Sequence, residues 1–187
     1  MLFNSRIRIA LVTAGFCALV AVGVAGADTR TISDGNRTRG PLDIRFAQAS
    51  HDSRGRLLHT IQTERRIPRT SHSTYCVLMW FHRHNANTVA PDRGVCINGN
   101  HTRGTVFKKN GTRAGSARAF VGGRNNRFWV IRFSRHVVRG RTYFWQVRTF
   151  RATSSDGCRG GCVDRAPNDG HTIRHGLRRS SGPRFTG

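Results

Sequence analysis

Three histidines and an aspartate in the middle of the chain are of the types that a metal-dependent nuclease uses. His82 and His84 follow an apolar stretch, and Asp92 and His101 come further along the chain. Nonspecific endonucleases carry an Asp-Arg-Gly-His core, but here Asp92-Arg-Gly is followed by Val95, so the position of the base is lost. A secreted metal-dependent nuclease or phosphodiesterase therefore stays an alternative function only.

Other catalytic motifs are absent from the sequence. There is no Gly-x-Ser-x-Gly, no His-Glu-x-x-His and no phosphate-binding Gly-x4-Gly-Lys-Ser/Thr. Glu64 is the only glutamate, whereas a glycosidase needs two placed carboxylates. We therefore expect that the protein is not an enzyme.

Four cysteines follow the N-terminal apolar stretch, and an even number is typical of disulfides in an exported protein. Two strand-like stretches flank a polar loop, and in a simple hairpin Cys76 would face Cys96 at the separation that a disulfide needs. Cys158 and Cys162 would close a short loop, because the two glycines between them allow a tight reversal. We predict these two disulfides.

A zinc site is the alternative for the second cysteine pair. Cys158 and Cys162 are followed by His171 and His175, which resembles the ligand set of a zinc finger. The spacer between the two pairs is shorter than the roughly twelve residues of such fingers, and it contains proline and glycine. An oxidising compartment favours the disulfide.

Arginine dominates the charged residues. The 187 residues include 32 basic and 9 acidic ones, for a formal net charge of +23, and only two of the basic residues are lysines. GC-rich codons explain the preference for arginine over lysine, but they do not explain the scarcity of acids. Such a charge indicates anionic partners: cell-wall polymer, polysaccharide or extracellular nucleic acid. The predicted polyanion-binding residues are Arg65, Arg66, Arg69, Arg178 and Arg179.

Alternating apolar and polar residues predict strands along most of the chain, and turn signals such as Asn110-Gly111 separate them. Seven or eight strands predict an all-β fold, an antiparallel β-sandwich or jelly roll, with a closed barrel as the alternative. His59 lies on an apolar strand face and is expected to be a hydrogen-bonded core residue. The predicted strands are 41–48, 55–64, 74–82, 94–98, 103–109, 115–121, 127–134 and 141–152, and 74–82 is apolar on both faces, as in a central strand.

The N-terminus has the features of a secretory signal peptide. Arg6 and Arg8 precede an apolar run that ends at Ala25-Gly-Ala27, a small-residue cleavage site. Cleavage would remove two arginines and lower the net charge from +23 to +21. We expect a secreted protein, a monomer without a transmembrane segment after cleavage. Its predicted parts are a signal peptide at 1–27, a flexible segment at 28–39, a β-sandwich domain at 40–177 and a flexible basic tail at 178–187.

Two passages carry a resemblance to known proteins. One is Ser33-Asp-Gly-Asn-Arg-Thr-Arg-Gly-Pro-Leu-Asp-Ile44, which leads into His59-Thr-Ile61. The other is Cys158-Arg-Gly-Gly-Cys-Val-Asp-Arg-Ala-Pro-Asn168, which follows Tyr143-x-Trp145. Together they resemble a group of uncharacterised exported single-domain β-sandwich proteins of high-GC Gram-positive bacteria. The resemblance implies a fold and a compartment, and no activity.

Calcium is the one cofactor that the sequence leaves open. Proteins of the group it resembles tend to have an acidic loop after the central strand, but here that stretch is Phe81-His-Arg-His-Asn-Ala-Asn87. Asp34 and Asp43 flank the first predicted turn and could contribute to a calcium site, although calcium needs several hard oxygen ligands. The alternative is that Asp43 hydrogen-bonds the backbone of the turn.

Three functions follow from these features. The first is an exported, non-enzymatic protein that acts at the cell surface or in the secreted milieu and binds anionic polymers by charge. The second is a stand-alone carbohydrate-binding module, which would need at least one exposed tryptophan among Trp80, Trp129 and Trp145. The third is the nuclease, which would need at least two of His82, His84, His101 and Asp92 to converge within metal-binding distance.

Overall fold

The chain folds into antiparallel strands with one short helical turn in the part that the structure describes. A computed structural model describes residues 29–34, 42–52, 54–67, 73–99, 101–122, 126–151, 163–168 and 170–177. A 3-10 turn, Arg135–Val137, separates the eighth and ninth strands. The strands are β1 (Arg30–Ser33), β2 (Ile44–His51), β3 (Arg56–Thr63), β4 (Ser73–Trp80), β5 (Arg93–Asn98), β6 (Arg103–Lys108), β7 (Arg113–Gly122), β8 (Phe128–Ser134), β9 (Thr142–Arg151), β10 (Val163–Ala166) and β11 (Ile173–Gly176).

All of these strands belong to one sheet. Its order is β1-β2-β3-β8-β7-β6-β5-β4-β9-β10, and β11 lies beyond β10 along the same edge of β9. The two ends of the sheet approach each other, since Ile44 N in β2 donates to Asp164 Oδ2 in β10 at 2.5 Å. The Thr149 hydroxyl in β9 also donates to the carbonyl of Leu42 at 2.5 Å. The sheet is therefore nearly closed and barrel-like.

The prediction of an all-β antiparallel fold is confirmed. The strands form one sheet and not the two stacked sheets of a sandwich or jelly roll. β3 pairs with β8 and β4 pairs with β9, so hydrogen bonding continues around the molecule without a break between two layers. Alternation along a strand reports only which face is buried, and that pattern is the same in a sandwich and in a barrel. The strand number was also too low, because β1, β10 and β11 have only four residues each.

β1 lies within the stretch 28–39 for which a flexible segment was predicted. Arg30–Ser33 pairs along its whole length with β2, where Arg30 faces Ala49 and Ser33 faces Phe46. Edge pairing of this kind supplies backbone partners to a segment whose own side chains are mostly exposed. The predicted signal peptide, 1–27, and the predicted basic tail, 178–187, lie outside the described residues.

The first predicted disulfide is confirmed. Cys76 in β4 is directly opposite Cys96 in β5, and the two sulfurs are bonded, with the Cα atoms 4.1 Å apart. The pair lies on the outer face of the sheet, because the neighbouring Tyr75 and Val77 point into the interior. Cys158 and Cys162 lie outside the described residues.

The interior is filled by the alternate side chains of nearly every strand. The burial of β3 and β8 alternates residue by residue, as expected for strands with one solvent-facing side. Aromatic rings occupy the centre, with Tyr75 stacked on Trp129 at 5.1 Å between centroids. The largest fully buried side chains include Trp80, Trp129, Trp145, Tyr75 and Tyr143.

β4 is buried on both faces, as predicted for a central strand. Its outer face is covered by the loop of residues 81–92. The indole of Trp80 donates to the carbonyl of Val89 at 2.9 Å, and the loop is held to the C-terminal region by Ala86 N, which donates to Gly170 O at 2.7 Å. On β6 to β8, by contrast, Arg103, Arg118 and Phe120 are exposed among the described residues.

Candidate anion-binding face

Three arginines lie side by side on the outer face of three neighbouring strands. Arg103 in β6 is directly opposite Arg118 in β7, and Arg118 is directly opposite Arg132 in β8. Directly opposed side chains in an antiparallel sheet have Cβ atoms about 4.5–5.5 Å apart. We call these three residues, together with Phe120, the arginine face.

The arginines point outwards because small and apolar residues alternate with them. In β7, Ala117 and Ala119 on either side of Arg118 are buried, and in β8 Ile131 and Phe133 flank Arg132 in the same way. Arg103 and Arg118 are exposed and Arg132 is partly buried. The local sequence therefore decides the side of the sheet on which each guanidinium lies.

The charge of this row is not neutralised by nearby carboxylates. None of the three arginines forms an ion pair with any residue that the structure describes. Two ion pairs lie instead at the ends of β2 and β3, where Arg56 contacts Asp52 and Arg45 lies 4.0 Å from Glu64. Like charges that are directly opposed destabilise a sheet, so this alignment costs the folded state free energy unless an anion binds there.

Phe120 extends the row towards one end of β7. It is 46% exposed, one of two large hydrophobic side chains with such exposure among the described residues, and the guanidinium carbon of Arg132 lies 5.1 Å from its ring centroid. This distance is within the range of a cation–π contact. The other one, Phe107, is 47% exposed and lies near the far end of β6, opposite Arg113.

The aromatic residue of this face was not predicted from the sequence, where the phenylalanine and tryptophan stripes were interpreted as core. The alternation of β7 contains the signal. Phe120 is two residues after Arg118, with the buried Ala119 between them, so the two side chains lie on the same face of the strand. An apolar ring on the charged side of a strand is the pattern that indicates a binding surface.

A second pair of opposed arginines has a structural use instead. Arg148 in β9 is opposite Arg165 in β10. Arg148 donates to Gln146 Oε1 at 2.7 Å and to Ala86 O at 2.8 Å, while Arg165 donates to Asn87 Oδ1 at 2.5 Å. Burial, and then the charge of Arg165, lowers the pKa of Arg148 from its ordinary value. These guanidinium groups hold the 81–92 loop in place.

Of the arginines predicted to bind polyanions, two can be located. Arg65 and Arg66 are exposed and follow the C-terminal end of β3, outside the row on β6 to β8. The carbonyl of Arg65 accepts a hydrogen bond from the Thr63 hydroxyl at 2.6 Å, so this segment is anchored at its start. Arg69, Arg178 and Arg179 lie outside the described residues.

The residues of the nuclease hypothesis are not all brought together, because His101 is remote from the others. The rings of His82 and His84 are 6.4 Å apart between centroids, and Asp92 Oδ2 accepts a hydrogen bond from Phe81 N at 2.8 Å. Asp92 and His101 flank opposite ends of β5, which by strand rise separates them by roughly 20 Å. One metal ion could not contact both.

All three tryptophans are buried, with exposures of 0% for Trp80, 1% for Trp129 and 0% for Trp145. A sugar-binding platform needs an indole face that is open to solvent, so none of them provides one. The hypothesis of a carbohydrate-binding module thereby loses the observation that motivated it.

Asp34 and Asp43 lie near the first strands, as the calcium prediction required. Asp43 is buried, and its carbonyl accepts from Glu64 N at 2.9 Å. Asp34 follows β1, and its Oδ1 accepts from the Asn168 amide. Among the described residues there is no group of three or more His, Cys, Asp or Glu side chains that could hold a metal ion. A calcium site at these two residues stays a prediction.

A cluster of histidines with Tyr143 lies inside the sheet. The Nε2 atom of His59 is 2.8 Å from the Tyr143 hydroxyl, and the His59 ring stacks on Phe133. The Tyr143 ring is 5.3 Å from that of His175, which in turn is 5.7 Å from that of His51. The expectation of a hydrogen-bonded core histidine is confirmed.

Burial shifts the pKa values of His59 and Tyr143 in this cluster. It lowers the pKa of His59 well below its ordinary value, and the charge of His175 lowers it further. Burial also raises the pKa of the Tyr143 hydroxyl. The two histidines of the alternative zinc site differ in environment, because His171 is exposed whereas His175 is fully buried.

Within the described part of the chain, no helix is long and apolar enough to cross a membrane.

Comparison of the chain with protein-family models and with curated proteins finds no match. The architecture and the arginine face are therefore the basis for inferring what the protein does.

Proposed function

We propose that this is an exported, non-enzymatic protein that binds anionic polymers through the arginine face. The observation that carries the proposal is the alignment of Arg103, Arg118 and Arg132 on three neighbouring strands, with no carboxylate partner among the described residues. The N-terminal signal-like sequence and the net charge of +23 support export and an anionic partner.

The spacing of the row suits a repeating anion. Neighbouring strands are about 4.8 Å apart, so three opposed arginines span about 10 Å across the sheet. Each guanidinium can bind a phosphate, sulfate or carboxylate with two parallel hydrogen bonds. A polymer lying across the strands would place successive anionic groups over the row and relieve the repulsion between its members.

The test is a triple variant, R103Q/R118Q/R132Q, compared with R54Q/R141Q/R174Q. Both variants lose three positive charges, but Arg54, Arg141 and Arg174 are exposed residues outside the row. Binding to heparin, cell-wall polymer and single-stranded DNA is measured across a salt series. For single-stranded DNA, the first variant should lose affinity and reduce the slope of log K against log salt by about 2.

The control variant should keep most of the affinity. An equal loss in both variants would show that net charge, and not the arginine face, is responsible. Wild-type binding that is absent at low salt, or indifferent to salt, would refute the proposal as a whole. Removal of the opposed charges should also stabilise the fold, by up to roughly 1 kcal/mol for each pair.

A further inference from the structure

We infer that the polymer bound by the arginine face is a single-stranded nucleic acid, one base of which stacks on Phe120 and enters the pocket beside it. This inference rests on the proposed function, since the same three arginines would bind the phosphates. It adds a ligand class and a second element of the site.

The pocket lies where the ends of β5 and β7 meet. Its lining includes Gly99, His101, Thr102, Phe120, Val121 and Trp129, and its volume is about 250 Å³. Pockets for drug-sized ligands measure roughly 300–1,000 Å³, so this one suits a single planar ring and not a large molecule. Phe120 belongs both to the pocket and to the arginine face, and it therefore joins the two.

An unsatisfied donor accompanies this pocket. Trp129 lines it, and the indole Nε1 of Trp129 is buried with no hydrogen-bond partner in the described part of the chain. Buried polar groups are normally paired, and an unpaired one calls for an explanation. The indole nitrogen of Trp129 has almost no accessible surface, so the hydrogen-bonding groups open to a base in the pocket are those at its rim. The exposed His101 and Thr102 supply such groups.

The combination of groups discriminates between polyanions. Acidic polysaccharides and wall polymers supply charge, but their sugar rings can pack on an aromatic side chain only through C–H groups, whereas a nucleobase can stack on Phe120 with its own π-face. In a duplex the bases are stacked within the helix. Proteins that bind single strands combine cations for the backbone with aromatic side chains for the bases, and Arg132 over Phe120 places both at one point.

The experiment measures the binding of two probes, a fluorescently labelled oligo(dT) and heparin, to the wild type and to the variants F120A, F120L, F120W and F107A. Loss of the ring in F120A and F120L should weaken binding of oligo(dT) by roughly 5- to 150-fold and leave heparin binding within about twofold of wild type. F120W should retain the affinity for oligo(dT). Phe107 is as exposed as Phe120 but lies outside the pocket, so F107A serves as the matched control.

The outcomes separate this inference from the proposed function. If R103Q/R118Q/R132Q loses both probes while the Phe120 variants bind oligo(dT) like wild type, the stacking inference is wrong and the proposed function stands. An equal loss of affinity for both probes in F120L would mean that Phe120 only supports Arg132, and this result would also overturn the stacking inference. Wild-type protein that binds heparin but not oligo(dT) at the same salt would show that the ligand is an acidic polysaccharide. If the triple arginine variant loses neither probe, the proposed function itself is refuted.

Discussion

Acidification should destabilise this protein before its carboxylates begin to titrate, because His59 is buried in a neutral form. The Nε2 atom of His59 is 2.8 Å from the Tyr143 hydroxyl, and the surrounding aromatic rings keep water away from it. Burial, reinforced by the charge of His175, lowers the pKa of His59 well below its ordinary value. In the unfolded chain the same histidine titrates near its ordinary pKa of about 6.5.

The sign and size of the effect follow from proton linkage. Above about pH 6.5 both states are neutral at this residue, and the stability is unaffected. As the pH falls further, the unfolded state binds a proton that the folded state does not, so the free energy of unfolding decreases by up to about 1.4 kcal/mol per pH unit. Between about pH 6.5 and about pH 5 the loss amounts to about 2 kcal/mol, a large share of the total for a domain whose stability is typically about 5–15 kcal/mol.

The measurement is urea denaturation, followed by tryptophan fluorescence, at several pH values from about 7 to about 5. H59Q keeps a group that can hydrogen-bond Tyr143 but does not titrate in this range, so its free energy of unfolding should change less with pH than that of the wild type. H136Q is the control, because His136 is exposed on the 3-10 turn and its removal should leave the pH dependence unchanged.

The test is the slope of the free energy of unfolding against pH, compared between the wild type and H59Q. H59Q is expected to be less stable than the wild type at neutral pH, so absolute stabilities do not test the linkage. Parallel curves for the wild type and H59Q between about pH 6.5 and about pH 5 would refute the reasoning, because His59 would then bind protons equally in both states.

Two further predictions concern the framework that supports the arginine face. G104A should destabilise the fold by about 1–3 kcal/mol, because a Cβ atom there would lie 2.8 Å from Ile97 Cγ1. G122A is the control, since nothing lies within 4 Å of a Cβ atom at that position and crowding should not destabilise it. Thermal unfolding tests this contrast, and equal melting temperatures of the two variants would contradict it. The free energy of unfolding of the double variant C76A/C96A should be about 3 kcal/mol lower than that of the wild type, since the disulfide closes a loop with a sequence separation of 20. In urea unfolding, a reductant should lower the stability of the wild type by the same amount and should not change that of the variant.

Local pattern sufficed to predict most of the strands and one of their contacts. Alternation located β2 to β9 to within a few residues, because each of these strands has one side in the core. The pairing of Cys76 with Cys96 was also predictable, since the two strands form a hairpin and the loop between them limits the register. The short strands β10 and β11 have too few residues for a pattern and take their structure from pairing with β9.

The candidate site was not predictable in the same way. Arg103, Arg118 and Arg132 stand 15 and 14 residues apart in the chain and have no motif in common. Their alignment depends on the registers of two successive strand pairs, and a shift of two residues in either would keep each arginine on its face but remove it from its position opposite the next one. The arginines chosen from the sequence were instead those that lie next to one another in the chain.

The sequence by itself determined the quantities that add up residue by residue: the net charge, the scarcity of acids, the apolar alternation and the side of the sheet on which each arginine lies. Only the tertiary structure decided which strands became neighbours, because β3 with β8 and β4 with β9 are pairs distant in the chain. It decided that all three tryptophans are buried and that Phe120 is exposed. The physical reason is that net charge and composition are sums over single residues, whereas a binding surface depends on the register of the strands and on the closure of the sheet. Non-local hydrogen bonds and packing select that register and closure together.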